Sequence, residues 1–270
     1  LHIRGRRTDG FHDLESLVVF TGFGDTLSLQ PGSEESLSVE GPRAQAAGPV
    51  ESNLVLKAAQ NLRARAPGLR SGGFVLTKRL PAAAGIGGGP SDAAAALRLL
   101  ARANGLALSD PRLIQAAAAT GSDAPACLER RARMMRGRGD ELGEILRLPP
   151  LAAVLVNPGV AVETKTVFTR LGLKPGENRG GAHPDMTTAR SFQDCVALLQ
   201  KARNDLEDAA SVVAPVIGHV VAVLSAARGC GLARMSGSGA TCFGLFADRL
   251  SASRAARAIR RGHPDWWVRA

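Results

Sequence analysis

The stretch Pro81-Ala82-Ala83-Ala84-Gly85-Ile86-Gly87-Gly88-Gly89-Pro90-Ser91-Asp92-Ala93-Ala94-Ala95-Ala96 decides how this chain is read. Four of the five positions from 85 to 89 carry no side chain, so backbone N–H groups are free to approach and wrap an anion. The Ala-rich helix expected over 92–104 points its positive end at the same spot. A polyphosphate suits such a cradle. The pattern is neither GxGxxG nor GxxxxGK[ST], so the dinucleotide fingerprint and the Walker loop do not apply as they stand. The structural alternative is a connector capped by Ser91 or Asp92, but three consecutive glycines carry an entropic cost that a plain connector has no reason to bear.

Upstream of the loop, apolar runs at 14–20 and 26–29 read as strands joined by a turn at 22–25. The breaker-free segment 53–65 reads as a helix, and 74–80 as a strand ending at Pro81. Downstream, a second Ala-rich helix is expected over 111–120, followed by a short helix after Pro125. Leu148-Pro149-Pro150 breaks the pattern and the apolar strand 152–157 starts afresh, which places a domain boundary near residue 150 and divides the chain into 1–150 and 151–270. Beyond it the reading gives helices at 164–171, 191–199 and 215–228, a surface loop at 174–185, strands at 231–235 and 241–246, and a last helix at 251–261. Five arginines fall between Arg249 and Arg261.

Composition narrows the function. The 270 residues are 45% hydrophobic and 21% charged, which excludes disordered and collagen-like chains. A formal charge of +10 calls for an anionic partner. Aromatics make up 4% with no Tyr, so the stacking platforms of a single-strand nucleic-acid binder are poorly supplied. Cys127, Cys195, Cys230 and Cys242 stand far apart with no CxxC, so neither a zinc site nor a disulfide framework is readable and a reducing, cytoplasmic setting is expected. The most apolar stretch, 211–227, contains Pro215 and His219 and falls short of the roughly 20 residues of a bilayer span. No signal peptide opens the sequence, and because it starts at Leu1 rather than Met, an upstream piece is expected.

Three further segments carry chemistry. In Thr120-Gly121-Ser122-Asp123-Ala124-Pro125, Ser122 or Asp123 either caps a helix with Pro in its first turn or offers a carboxylate to an alcohol. Met235-Ser236-Gly237-Ser238-Gly239-Ala240-Thr241 is a hairpin turn or a second set of donors for an anion. Arg6-Arg7-Thr8-Asp9-Gly10-Phe11-His12-Asp13-Leu14 is a turn entering a strand or a substrate-contacting loop.

Taken in order, these motifs resemble the GHMP kinase superfamily of small-molecule kinases. Within it they are similar to the branch whose acceptor is diphosphocytidyl-methylerythritol. Residues 5–14 match GxRPDGYHEL, 80–94 match LPxxAGLGGGSSDAA, and Gly121-Ser122-Asp123-Ala124-Pro125 matches GSDVP. Asn204-Asp205-Leu206-Glu207 matches NDLE, and 235–246 match MSGSGxTxFGLF. The resemblance implies an α+β, two-domain GHMP kinase fold: an N-terminal α/β domain with a mixed sheet, a ferredoxin-like C-terminal domain, and the active site between them. It implies ATP and Mg²⁺ as cofactors and phosphorylation of the acceptor's 2-hydroxyl in non-mevalonate isoprenoid biosynthesis. Asp123 would be the catalytic base. Pro81, Gly85, Ile86, Gly87, Gly88, Gly89 and Ser91 would cradle the ATP phosphates, with Ser91 also at the metal and Asn53 and Lys78 on the nucleotide side. Phe11 and His12 would lie against the cytosine, and Ser236, Gly237, Ser238 and Gly239 would close the site. The partner is then a small molecule, with no nucleic acid or membrane, on a monomer or weak homodimer. Pro90 stands where the family usually has Ser, and Phe11 where it has Tyr. The family's AKINLxL strand, whose Lys works with the aspartate, would precede Leu1. The competing readings are a homoserine or mevalonate type of GHMP kinase, or a non-catalytic basic relative that binds nucleotide or nucleic acid.

Overall fold

A computed structural model describes residues 1–32 and 34–270. Strands β1 (His2–Arg6) and β2 (His12–Val18) pair antiparallel around the turn at 7–11. The next three strands form a separate mixed sheet, in which β5 (Gly72–Thr77) lies between the antiparallel β3 (Thr26–Pro31) and the parallel β4 (Ser36–Glu40). The strands expected at 14–20 and 26–29 both form, but they lie in different sheets and do not pair. Both edges of β2 are already taken, by β1 and by β6 (Arg133–Gly137), so residues 22–25 carry the chain to another sheet. β6 and its partner β7 (Glu141–Ile145) escape the sequence reading because the arginine-rich run around 130–138 leaves only Met134 and Met135 as buried apolar side chains there.

Four helices pack with the mixed sheet: α1 (Leu54–Arg65), α2 (Gly88–Ala103), α3 (Pro111–Thr120) and α4 (Ala124–Glu129). Period-2 alternation on β5 puts Phe74 and Leu76 into one core with Leu62, Leu97 and Leu100, all 1% exposed or less. Alanines at 93, 94, 96 and 101 on α2 are equally buried, and their small size allows the helices to approach closely. Truncating any of the large side chains would cost about 2–5 kcal/mol. Helix α2 starts at Gly88, four residues before the expected start at 92. Helix initiation needs no side chain, and Gly87 in the left-handed region (φ 64°, ψ 27°) supplies the bend into it.

Residues 146–151 lead without regular structure into the second half. Its elements are β8 (Ala152–Asn157), α5 (Thr164–Arg170), α6 (Phe192–Lys201), α7 (Glu207–Val213), α8 (Val216–Ala226), β9 (Cys230–Met235), β10 (Cys242–Phe246), α9 (Arg249–Gly262) and β11 (Trp267–Arg269). The sheet order β11-β8-β10-β9 is antiparallel throughout, the 4-1-3-2 arrangement of ferredoxin-like domains. The apolar stretch 211–227 is not one helix. It breaks at Ala214-Pro215, because Pro lacks the N–H that would continue the ladder and clashes with the preceding turn. Ile3 on β1 packs into the core of this half with Val154, Val156 and Phe246, and its N–H donates to Asp205 Oδ2 at 2.7 Å. Among the described residues, no helix is long and apolar enough to cross a membrane.

Candidate active site

One cleft of about 1910 Å³ runs between the mixed-sheet half and the second half, and each motif of the sequence contributes residues to its walls, although Gly239, Asp205 and Glu207 are not among them. At one end lies the glycine loop. Gly87 caps α2 with its backbone alone, and among the described residues no side chain caps the first-turn amides. Those N–H groups and the positive helix end are therefore left for a ligand. A Cβ at Gly87 would meet nothing within 4 Å, so the missing side chain leaves open cleft rather than relieving a clash.

Gly85 differs. It has φ +68°, and a Cβ there would lie 2.5 Å from the Ser236 carbonyl oxygen and 2.6 Å from that of Gly239. The glycine loop and the 236–239 turn thus interlock backbone to backbone. The Ser236 hydroxyl donates to the Gly85 carbonyl at 2.9 Å and the Thr241 N–H to that of Ala84 at 3.1 Å. Ser236, Gly237 and Ser238 line the cleft, with the Ser236 hydroxyl given to the loop and the Ser238 hydroxyl 2.9 Å from that of Thr164. Gly239 packs against Met235 and Ile217 and is not part of that wall.

The Asn204-to-Glu207 motif braces the same turn. Asn204 Nδ2 donates to the carbonyls of Met235 (3.0 Å) and Gly237 (2.8 Å), and Glu207 Oε2 accepts from the Met235 N–H at 2.7 Å. Nothing in the sequence pattern alone indicates that these polar residues serve a turn some thirty positions away.

Lys78 lines the cleft, and its ammonium is buried between Asp25 Oδ2 at 2.5 Å and Asp92 Oδ2 at 2.9 Å, so its charge is met within the protein and it ties the strand before the loop to α2. Asp25 Oδ1 accepts from the Arg79 and Leu80 N–H groups at 2.6 and 2.9 Å, which fixes the entry to Pro81. Burial pushes the Asp92 carboxyl up to about 6 although Lys78 pulls the other way. Burial opposes the charge on Lys78, but the two carboxylates outweigh it and raise its pKa. The sequence carries no signal for Asp25, an acid in an ordinary turn. Asn53 lines the cleft while its Oδ1 caps α1 by accepting from the Val55 N–H at 3.0 Å. Ile86, Gly88, Gly89 and Ser91 line the cleft with Pro81.

Asp123 occupies the N-cap position of α4 but makes no capping hydrogen bond. The capping alternative is thus set aside: the carboxylate is exposed on the cleft wall, and Oδ1 accepts from the Ser122 hydroxyl at 3.1 Å. At the far end, His12 packs against Phe168 of α5 with ring centroids 4.8 Å apart. Burial, with Arg6 nearby, lowers the imidazole pKa, which favours the neutral ring, and its buried Nε2 has no partner among the described residues. Phe11 is 55% exposed beside it. Phe168 was not foreseen, because a single aromatic on a short helix reads as core. The arrangement joins a bare helix start, a carboxylate with no cationic partner among the described residues and an aromatic pair with an orphan polar nitrogen in one trough.

Residues 53–130 match the GHMP kinases N terminal domain and 188–265 the GHMP kinases C terminal domain. A 4-diphosphocytidyl-2-C-methyl-D-erythritol kinase of Methylobacterium radiotolerans is 58% identical over 270 residues, covering 99% of this chain and 93% of its own length. A protein of the same name from Xanthobacter autotrophicus is 55% identical over 274 residues, covering 100% and 93%. Among solved structures, a 4-(cytidine 5'-diphospho)-2C-methyl-D-erythritol kinase superposes with a TM-score of 0.75 at 31% identity over 98% of this chain and 92% of that one. A homoserine kinase from Cytophaga hutchinsonii, with a TM-score of 0.61 at 19% identity over 97% and 88%, shares the fold.

Proposed function

The chain belongs to the GHMP kinases, in the branch of the 4-diphosphocytidyl-2-C-methyl-D-erythritol kinases, and from that membership we infer that it phosphorylates this cytidyl acceptor with ATP in isoprenoid biosynthesis. We place the transfer at the acceptor's 2-hydroxyl. The observation that carries the reading is the single trough in which a bare helix end, a carboxylate without a cationic partner and the His12–Phe168 pair all open to the same space.

In this reading the amides of the glycine loop and the start of α2 receive the ATP phosphates, and little covalent work is left to the protein. Phe11, His12 and Phe168 hold the cytosine, with the orphan Nε2 of neutral His12 available to its polar edge. Asp123 takes the proton of the attacking hydroxyl from within hydrogen-bond reach. Ser91 stands on the cleft wall in the first turn of α2, and its hydroxyl would be the protein contact of a Mg²⁺ held mainly by the nucleotide's own phosphates and water. When bound, the ion would neutralise charge on the transferred group. The division near residue 150 and a cytoplasmic setting, in keeping with four free cysteines, belong to the same proposal.

The direct test is ATP turnover with the cytidyl acceptor, homoserine and mevalonate in parallel, following ADP release and the new phosphomonoester by ³¹P NMR. Turnover of the cytidyl compound alone is expected; turnover of either of the others in its place would refute the assignment.

Two glycines separate the loop's packing from its binding role. Gly85→Ala is expected to destabilise the fold by about 1–3 kcal/mol, because the Cβ strikes backbone in a left-handed position. Gly87→Ala has open space around it, so only the left-handed penalty of roughly 1–2 kcal/mol applies. Its main effect is to weaken ATP binding by about tenfold or more, since the methyl projects where phosphate would sit. Urea melts and ATP titrations of the two variants check this, and a Gly87→Ala protein with unchanged ATP affinity would remove the loop from the phosphate site.

A further inference from the structure

We propose that Arg138, on the turn between β6 and β7, binds the diphosphate of the acceptor and makes the enzyme select a diphosphate-linked substrate. The proposal rests on the cytidyl-kinase reading above and adds a residue to it. The turn is tight: Gly137 and Gly139 take φ +65° and +101°, the Gly139 N–H donates to the Arg136 carbonyl at 3.0 Å, and the Arg138 N–H donates to Asp140 Oδ1 at 3.0 Å. It places Arg138 on the cleft wall, with its guanidinium carbon 5.2 Å from the centre of the Phe11 ring. The adjacent Gly139 lies against Asp123, since a Cβ on it would be 3.5 Å from Asp123 Oδ1.

One short turn therefore touches both the aromatic end that takes the base and the carboxylate that meets the alcohol. In a nucleotide-linked acceptor, what lies between base and reacting alcohol is the ribose and the diphosphate, and the diphosphate is the anionic part. The guanidinium is poised for it. Its Nε and Nη2 donate to the same oxygen, Asp140 Oδ2, at 3.3 and 3.0 Å, which leaves the Nη1 donors unengaged among the described residues. The planar fork suits phosphate oxygens. Several other cations line the cleft: Lys78 is closed between two carboxylates, Arg98 and Arg234 donate to the carbonyls of Cys127 and Leu199, Arg203 pairs with Asp205, and Arg130 and Lys165 also stand on the wall; Arg138 is set apart by its place over the Phe11 ring. Stability gives little reason for Arg138 to be there, because an ion pair with side chains 47% and 42% exposed contributes next to nothing to folding.

The experiment compares cytidine with cytidine 5'-diphosphate as calorimetric ligands, in the presence of a non-hydrolysable ATP analogue that occupies the nucleotide end. Wild-type protein is expected to bind the diphosphate at least about tenfold more tightly than cytidine. Arg138→Ala should lose that preference while binding cytidine as before, and Arg138→Lys should keep part of it. In turnover assays Arg138→Ala should raise the KM for the acceptor by a similar factor, with the KM for ATP within about twofold of wild type. An Arg138→Ala protein that still prefers the diphosphate, or that loses cytidine and diphosphate affinity equally, would overturn the proposal; the second result would make the arginine a brace for Phe11. If wild type binds neither cytidine compound and turns over no cytidyl acceptor, the broader reading fails and this one with it. That result is distinguishable because it appears before any substitution is made.

Discussion

Asp123→Asn is expected to lower kcat by at least about 10³-fold, leave the affinity for ATP within a few fold, and leave folding stability within roughly 0.5 kcal/mol of wild type. The three parts follow from the same geometry. The carboxylate is exposed and makes no cap to α4, and the hydroxyl of Ser122 that it accepts can donate equally well to an amide oxygen, so the fold loses nothing by the exchange. The glycine loop is held by Gly85, Ser236 and Thr241, none of which involves Asp123, so the ATP phosphates should bind as before. Only the capacity to accept a proton disappears, and that is felt only when the hydroxyl attacks. Single-turnover kinetics with ATP and acceptor both bound would show the loss in the chemical step. Turnover within tenfold of wild type would mean that the alcohol loses its proton elsewhere and that Asp123 merely shapes the wall.

The parts of this site that were legible in the sequence are those whose chemistry is written in consecutive residues. Three glycines before an alanine-rich helix announce a cradle because the backbone that binds is the backbone that is bare. Asp123 in its Gly-Ser-Asp turn, and the Phe11–His12 pair, needed the company of the other motifs before a role could be assigned. What stayed hidden depends on contacts between distant segments. Asp25 looks like any acid in a glycine turn until Lys78 and Asp92 are placed beside it, and Asn204 and Glu207 show no purpose until β9 is known to end next to them. Arg138 lies in a basic run whose strands were missed altogether, because its alternation is carried by arginines rather than by apolar residues. The partner of β3 stayed open for a related reason: local turn signals mark a turn at 22–25, and only the pairing of β2 on both edges shows that the next strand must go elsewhere.

Lys78→Met should be the most damaging single substitution outside the apolar core, with a loss of about 3–5 kcal/mol at pH 7. Lys78 is 5% exposed, and the Asp25 and Asp92 side chains it joins are 1% and 10% exposed. Removing the ammonium leaves two carboxylates facing each other away from water, with only Asp25 retaining backbone donors, those of Arg79 and Leu80. Burial already pushes the Asp92 carboxyl up to about 6 against the pull of Lys78, so without the lysine it must rise further. A carboxyl whose folded value exceeds its unfolded one takes up a proton on folding, and its contribution to stability grows as pH falls through the folded value. The stability gap between Lys78→Met and wild type should accordingly narrow between pH 7 and pH 5. Urea midpoints at the two pH values measure this directly. Adding Asp92→Asn to Lys78→Met should recover a large part of the loss at pH 7, a non-additivity of on the order of 1–3 kcal/mol, because a single carboxylate with two backbone donors remains. Since the same triad fixes the entry to Pro81, the recovered double variant should also regain ATP affinity lost by the single one. A Lys78→Met protein that melts with wild type at pH 7 would show that the three charges do not hold the loop together.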